Sequence, residues 1–334
     1  MLPRRQSANK STRASAVENA DDAEMLALAA GAGVDIPMDD ALLDDRVSES
    51  IVEAASPEQE QSSDVGATAI EDALRSDAYA EGLLGLTSEV IAERGTLLGI
   101  AYPFALDGNH IRYLGSKTHV YEFCLSISRV ANIAVVKYRK AIAVFEQLTG
   151  LAMSCFIGSA GQYYYTGFPG SGSAIAAHLP GLNSVMPGEW RWDVETLKDR
   201  ANDGGVDAVV WKRPDDRRDV GSLVFVGNSG CGRSWYDSNK HRERPSGELA
   251  KILSRPMSQH LHDFLALPFH LYDRQEWIEA SDEGVFVLDR LRLAAIAEAQ
   301  NNAVWMREVA RLAISIDDAI RLLNGSASLA SPAN

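Results

Sequence analysis

Four side chains in this sequence carry the chemistry that phosphodiester hydrolysis demands. Asp207 lies near the start of the apolar run Val206–Trp211, and Asn228 directly follows the next one, Ser222–Gly227. If the two runs pair as a hairpin, the acid and the amide meet at one rim of a sheet. Hard divalent cations take oxygen ligands of this kind, and such a cation activates water and balances phosphate charge. Glu146, on an earlier helical stretch, would add a second carboxylate, and Lys240 an ammonium facing the developing charge. The cofactor expected is Mg2+ or Mn2+. Each residue also has a plainer reading. Asp207 after Gly204-Gly205 and Asn228 beside Gly227 suit turns. Glu146 suits the solvated face of an amphipathic helix and Lys240 an ordinary surface.

The elements that must position these groups follow from local pattern. Val120–Ala131 and Val135–Met153 carry apolar residues at helical spacing, among them Val136, Ala143, Val144, Leu148 and Leu151. Thr87–Gly99 reads as a helix with Thr87 or Ser88 as its cap. Gly158–Gly172, rich in Gly, Tyr and Ser, reads as a loop. Trp192–Ala201 suits a short polar helix. Val206–Trp211 and Ser222–Gly227 read as strands joined by the charged turn Lys212–Gly221. The second is apolar on both faces, which predicts cover on both sides. Leu261–Leu271 suits a helix leading into a strand, and Val285–Leu288 a third strand. Arg290–Ala299 and Ala303–Leu323 are amphipathic helices, followed by a loose tail.

The run GVDAVVWK, a polar turn, the strand SLVFVG, Asn228, then Gly232-Arg233-Ser234-Trp235 and Lys240 resembles bacterial restriction-endonuclease-like proteins of the PD-(D/E)XK superfamily. The likeness covers about residues 145–293, counting Val144-Phe145-Glu146 and Leu288–Leu293 as looser matches. It implies an α/β fold: a restriction-endonuclease-like mixed sheet core flanked by helices, with a helical N-terminal part and C-terminal helices. It implies Asp207 as central metal ligand, Asn228 where the family has Glu or Gln, and Glu146 as the helix-borne acid. The family's Lys lies two residues beyond the Glu or Gln. That slot is Gly230 here, so Lys240 would supply the ammonium. Only two formal negative charges then face the cation. The function implied is a Mg2+-dependent nuclease-like protein acting on or binding DNA, of the kind that serves bacterial defence or restriction. The alternative is a catalytically impaired subunit of the same fold, acting as a DNA-binding or scaffold partner.

Residues 227–234, GNSGCGRS, also fit a phosphate-binding loop, with Phe286–Asp289 as a Walker B strand. Arg233 replaces the Lys of that motif, and Pro245 follows with no apolar stripe, so no helix N-terminus is expected at the loop. His260, His262 and His270 have weak zinc spacing. The basic stretch Arg233, Lys240, His241, Arg242, Arg244, Lys251 and Arg255 suits either a phosphate backbone or a solvated surface. Arg233, Trp235, Arg242 and Arg244 are its expected nucleic-acid contacts.

Charge is uneven along the chain. Residues 1–66 hold five basic and 14 acidic residues, a net of -9, so the other 268 carry -5 of the total -14. Any nucleic-acid surface must therefore be local. The first 66 residues lack aromatics and read as a disordered acidic tail, a candidate dock for a protein partner. A single domain is expected over 67–325, with a helical part at 67–157, a sheet core at 185–293 and C-terminal helices at 290–323. A flexible end is expected over 326–334. Three cysteines in no metal spacing argue against a disulfide scaffold and for a reducing, cytoplasmic setting. No apolar run approaches the roughly 18 residues of a membrane span.

Overall fold

The computed structural model describes residues 7–38, 65–130, 135–158, 161–166, 184–185, 206–216, 222–232, 235, 244–252, 261–300, 302–311 and 316–327. The chain divides into two compact units, Met1–Ser116 and Lys117–Asn334. The division thus falls near residue 116, not near 66.

In the first unit, helix α1 (Ser7–Ala30) packs along helix α2 (Val65–Leu98). This differs from the disordered tail expected over 1–66; residues 39–64 lie outside the described set. The physical reason is a stripe of small residues. Ala16, Ala20, Ala23 and Ala27 recur at helical spacing and are fully buried, so the helix axes can approach closely. The acids on α1 are not all solvated either. Arg94 of α2 donates from Nη1 to Glu24 Oε1 at 2.8 Å and pairs through Nη2 with Asp21 Oδ1 at 2.9 Å. Tyr102 adds its hydroxyl to Glu24 Oε1 at 2.6 Å. Strands β1 (Asp35–Pro37), β2 (Phe104–Asp107) and β3 (His110–Tyr113) complete the unit as an antiparallel sheet ordered β1-β3-β2. Thr87 and Ser88 are not caps. They sit within α2 and donate back to the carbonyls of Leu83 and Leu84.

The second unit is a mixed α/β layer structure. Its strands are β4 (Gly161–Tyr165), β5 (Ala208–Lys212), β6 (Leu223–Ser229), β7 (Leu261–Ala266) and β8 (Phe286–Leu288), in spatial order β4-β5-β6-β7-β8. β4, β5 and β6 pair antiparallel, whereas β7 and β8 join in parallel. The β5–β6 hairpin is the expected one. On one face, α3 (Val120–Val130) and α4 (Val135–Phe156) bury Phe123, Phe145 and Leu148 against Ala208, Val210, Phe264 and Leu288. Helix α7 (Arg290–Ala299) adds Leu293, α8 (Asn302–Val309) adds Trp305, and α9 (Ile316–Ala327) adds Leu323. On the other face Leu265 and Val287 pack with Trp235, Leu271 and Ala280, the last in helix α6 (Arg274–Ala280). Helix α5 (Pro245–Ile252) lies between β6 and β7 in sequence and packs on both. The mixed sheet flanked by helices is therefore present.

Three local expectations differ. Gly158–Gly172 contains strand β4, whose three consecutive tyrosines hide any alternation of polar and apolar residues. Leu261–Ala266 is a strand from its first residue, because β6 offers it a parallel partner. Ala303–Leu323 is two helices, with a turn at Ala310–Arg311 and residues 312–315 outside the described set. Trp192–Ala201 also lies outside it.

Each unit buries an ionisable side chain, Asp289 in the second and Arg94 in the first. Asp289 caps α7: its Oδ1 accepts from Arg292 N at 2.9 Å, and its Oδ2 from Leu271 N at 3.4 Å. Burial pushes its carboxyl up to about 6, against the two backbone bonds that pull it down. A folded pKa above the unfolded 3.8 means that stability from the neutral form is complete below about pH 4. It is lost as pH rises through about 6, by an amount on the order of 3 kcal/mol. Asp289→Asn keeps the cap and removes the titration. Relative to wild type, its unfolding free energy should climb between pH 4 and pH 7, as read by urea titration. A constant difference would show that Asp289 does not titrate in this way. In the first unit, Arg94→Met leaves Glu24 buried without its cation and should cost about 3–5 kcal/mol, measurable in the same titration.

Candidate functional site

The carboxylate of Asp207 is bound to the backbone of the neighbouring strand. It lies one residue before β5 and is 7% exposed. Its Oδ2 accepts from Ser229 N, at the end of β6, at 2.6 Å. Its own amide donates to Gly227 O at 2.8 Å. The β5–β6 register pairs Ala208 with Gly227, so the next step along the ladder sets Asp207 across from Asn228. The acid and the amide thus come to one end of the hairpin, as their spacing led us to expect.

Glu146 reaches the same end of the sheet from helix α4. Its Oε2 accepts from the Tyr165 hydroxyl at 2.9 Å. Tyr165 ends β4 and pairs with Ala208, the residue after Asp207. Thr149, one turn along α4, donates to Glu146 O at 2.8 Å and lies 3.3 Å from Ser229 Oγ. These contacts put Ser229 on the face covered by α4. Strand alternation then turns Asn228, 2% exposed, to the opposite face beside Val226 and its ladder partner Leu265. The sheet stands between Asn228 and Glu146. The three expected ligands share one end of the sheet, but Asn228 and Glu146 do not share one face.

The slot of the expected family lysine is filled by packing. A Cβ at Gly230 would lie 2.9 Å from Leu267 Cδ2 and 3.2 Å from Trp235 Cβ. Trp235, expected to touch nucleic acid, is 7% exposed and belongs to the apolar cluster on this face. Gly227 is constrained more tightly on the other face, where a Cβ would come within 1.9 Å of Phe264 Cζ. Lys212, the last residue of GVDAVVWK, has a structural task. Its Nζ donates to Ile157 O at 3.2 Å, just beyond the C-terminal end of α4. Arg244 is half-buried, and its Nη2 donates to Asp282 O at 3.4 Å. Lys240, Arg233 and Arg242 lie outside the described residues.

The rival motifs lose support in the same geometry. Asp289, the acid of the Walker B reading, spends one oxygen capping α7 and the other on the Leu271 amide. The first helix described after β6 is α5, which starts only at Pro245. His262 stacks on Phe225 with ring centroids 5.2 Å apart, His270 is buried, and His260 is outside the described residues. Among the described residues no group of three or more His, Cys, Asp or Glu is placed to hold a metal ion. The oxygen donors that remain are two carboxylates and one amide. Mg2+ takes oxygen donors of these types, but Asn228 and Glu146 lie on opposite faces of the sheet.

Residue types alone did not mark Tyr165 and Thr166 as part of the site. Thr166 N donates to Asp207 O at 2.9 Å, and its Oγ1 donates to Val206 O. Comparison with protein-family models, with curated proteins and with solved structures returns no match for this chain. Among the described residues no helix is long and apolar enough to cross a membrane.

The packing at the two glycines can be tested directly. Gly230→Ala should cost about 1–3 kcal/mol, and Gly227→Ala more, because a rigid ring lies in its way. Phe264→Leu in the Gly227→Ala background should restore part of the loss. Losses near zero at both sites in chemical denaturation would contradict the close approach.

Proposed function

We propose that the second unit is a nuclease-like phosphodiesterase core that depends on Mg2+ or Mn2+ and acts on DNA. The observation that carries this reading is the meeting of Asp207 and Asn228 at one hairpin end, with Glu146 tied in through Tyr165. Asp207 is the principal ligand, joined by Glu146 or Asn228. A divalent cation bound there would activate water and offset charge on the phosphate. The Ser229 amide fixes the Asp207 carboxylate, so little reorganisation remains for that group. Lys240 is assigned the ammonium that faces developing charge, since Gly230 has no room for one. Arg233, Arg242 and Arg244 are assigned to the phosphate backbone. A role in bacterial defence or restriction is consistent with the resemblance.

A second reading has its own support: a catalytically impaired subunit of the same fold that binds DNA or serves as a scaffold. The sheet between Asn228 and Glu146, and the closed Gly230 slot, both weaken a cation site. Cleavage of plasmid and single-stranded DNA in Mg2+ or Mn2+, with wild type and Asp207→Ala, separates the two. The first reading expects cation-dependent cleavage that falls at least about 100-fold in the variant. Salt-dependent DNA binding with no cleavage by either protein selects the second. Equal cleavage by both removes Asp207 from the site.

A further inference from the structure

Among the described residues, His119 is the one non-glycine residue whose φ, 54°, lies in the left-handed region. That conformation costs energy and persists where neighbours hold it. Here they hold it on both sides. The His119 carbonyl accepts from Phe123 N at 3.0 Å, which closes the first turn of α3. Thr118, just before it and buried, donates its amide at 2.9 Å and its hydroxyl at 2.6 Å to Glu298 Oε1 on α7. His119 Nδ1 lies 3.5 Å from Oε1 of Glu122, whose side chain is fully buried while the imidazole is 37% exposed.

Three helices direct carboxylates at this imidazole: Glu122 from α3, Asp317 from the first turn of α9 and Glu298 from α7. Both α7 and α9 pack on α3. Their other charges are engaged elsewhere: Arg290 on Pro268 O and Ser128, and Asp318 with Arg321. Helix α4 also packs on α3 and, among its described residues, adds no charge that shifts His119. Burial and the positive end of α3 both disfavour an imidazolium. The hydrogen bond to Glu122 and the three carboxylate charges outweigh them and hold the His119 pKa above the ordinary 6.5. Stability from such a group is complete below pH 6.5 and is lost as pH rises through the folded value. With the imidazole neutral, the carboxylates of three helices face one another without a cation between them.

We propose that His119 is a pH-operated latch: as imidazolium it draws the first turn of α9 onto the start of α3, and on losing its proton it lets that turn open. The element that yields is α9, because Glu298 is tied by two bonds from Thr118 and Glu122 belongs to α3 itself. Asp317 is exposed and reaches the latch through charge. Ile316, Ala319 and Leu323 lie in the core, so the response is fraying from the N-terminal end of α9, not release of the helix. The latch stands apart from the phosphodiesterase reading and does not depend on it.

The test uses the full chain between about pH 5.5 and pH 8.5, the range in which a histidine titrates. Proton resonances of the imidazole give the His119 midpoint, with the signal identified by its absence from His119→Asn. Hydrogen exchange of amides 320–323, corrected for the intrinsic rate at each pH, gives the protection of α9. Asparagine accepts the left-handed backbone and cannot be charged, so His119→Asn removes the titration alone. In wild type, α9 protection should fall roughly 2- to 5-fold as pH rises, the modest size that a partly exposed pair permits. Its midpoint should match that of His119. In His119→Asn the protection should be low and level across the range. Asp317→Asn, an exposed change, should lower the His119 midpoint and carry the α9 midpoint down with it.

Level protection of α9 in wild type overturns the latch. So does a transition that persists in His119→Asn, which assigns the response to another group such as Asp289. If His119→Asn fails to fold, the Asp317→Asn comparison decides by itself: an α9 midpoint that stays where it was overturns the proposal.

Discussion

A buried carboxylate must find hydrogen-bond donors, and in this protein the chosen donor is the backbone amide of Ser229. The bond from that amide to Asp207 joins the start of β5 to the end of β6. β6 is the strand that pairs antiparallel with β5 on one side and parallel with β7 on the other. The same bond decides what Asp207 can still offer. One of its oxygens is committed to that amide.

The sheet then acts as a partition. Side chains along β6 alternate, so Ser229 meets Thr149 beneath α4 while Asn228 turns to the face of Leu265 and Trp235. Glu146 belongs with Ser229 in this division. By the same alternation Asp207, the residue before the core-facing Ala208, falls with Asn228 rather than with Glu146. Packing reinforces the division, because Leu267 and Trp235 occupy the space beside Gly230.

The first unit illustrates a different constraint. Helix α1 carries four acids and few large apolar groups, a composition that suits an unfolded segment. What holds α1 in place is geometric: an alanine stripe that permits close approach, and one arginine that satisfies Glu24 and Asp21 together. Neither feature alters the composition enough to stand out, and the arginine lies 70 residues from its glutamate. Long-range pairing of this kind is invisible to any local reading of the chain.

Local pattern by itself determined the helices α3, α4 and α7, the β5–β6 hairpin, and the meeting of Asp207 with Asn228 at its end. Each depends on periodicity or on the near-neighbour pairing of adjacent strands. Tertiary structure alone decided the rest. It made a strand of Gly161–Tyr165, because β5 offered an unpaired edge to a segment with no alternation of its own. It turned Trp235 from a candidate surface contact into core, because Leu265, Leu267 and Leu271 gather around it beside the glycine at 230. It set Glu146 and Asn228 on opposite faces, since the side of a sheet on which a preceding helix lies is fixed by which apolar face that helix must bury, and residue spacing carries no record of it.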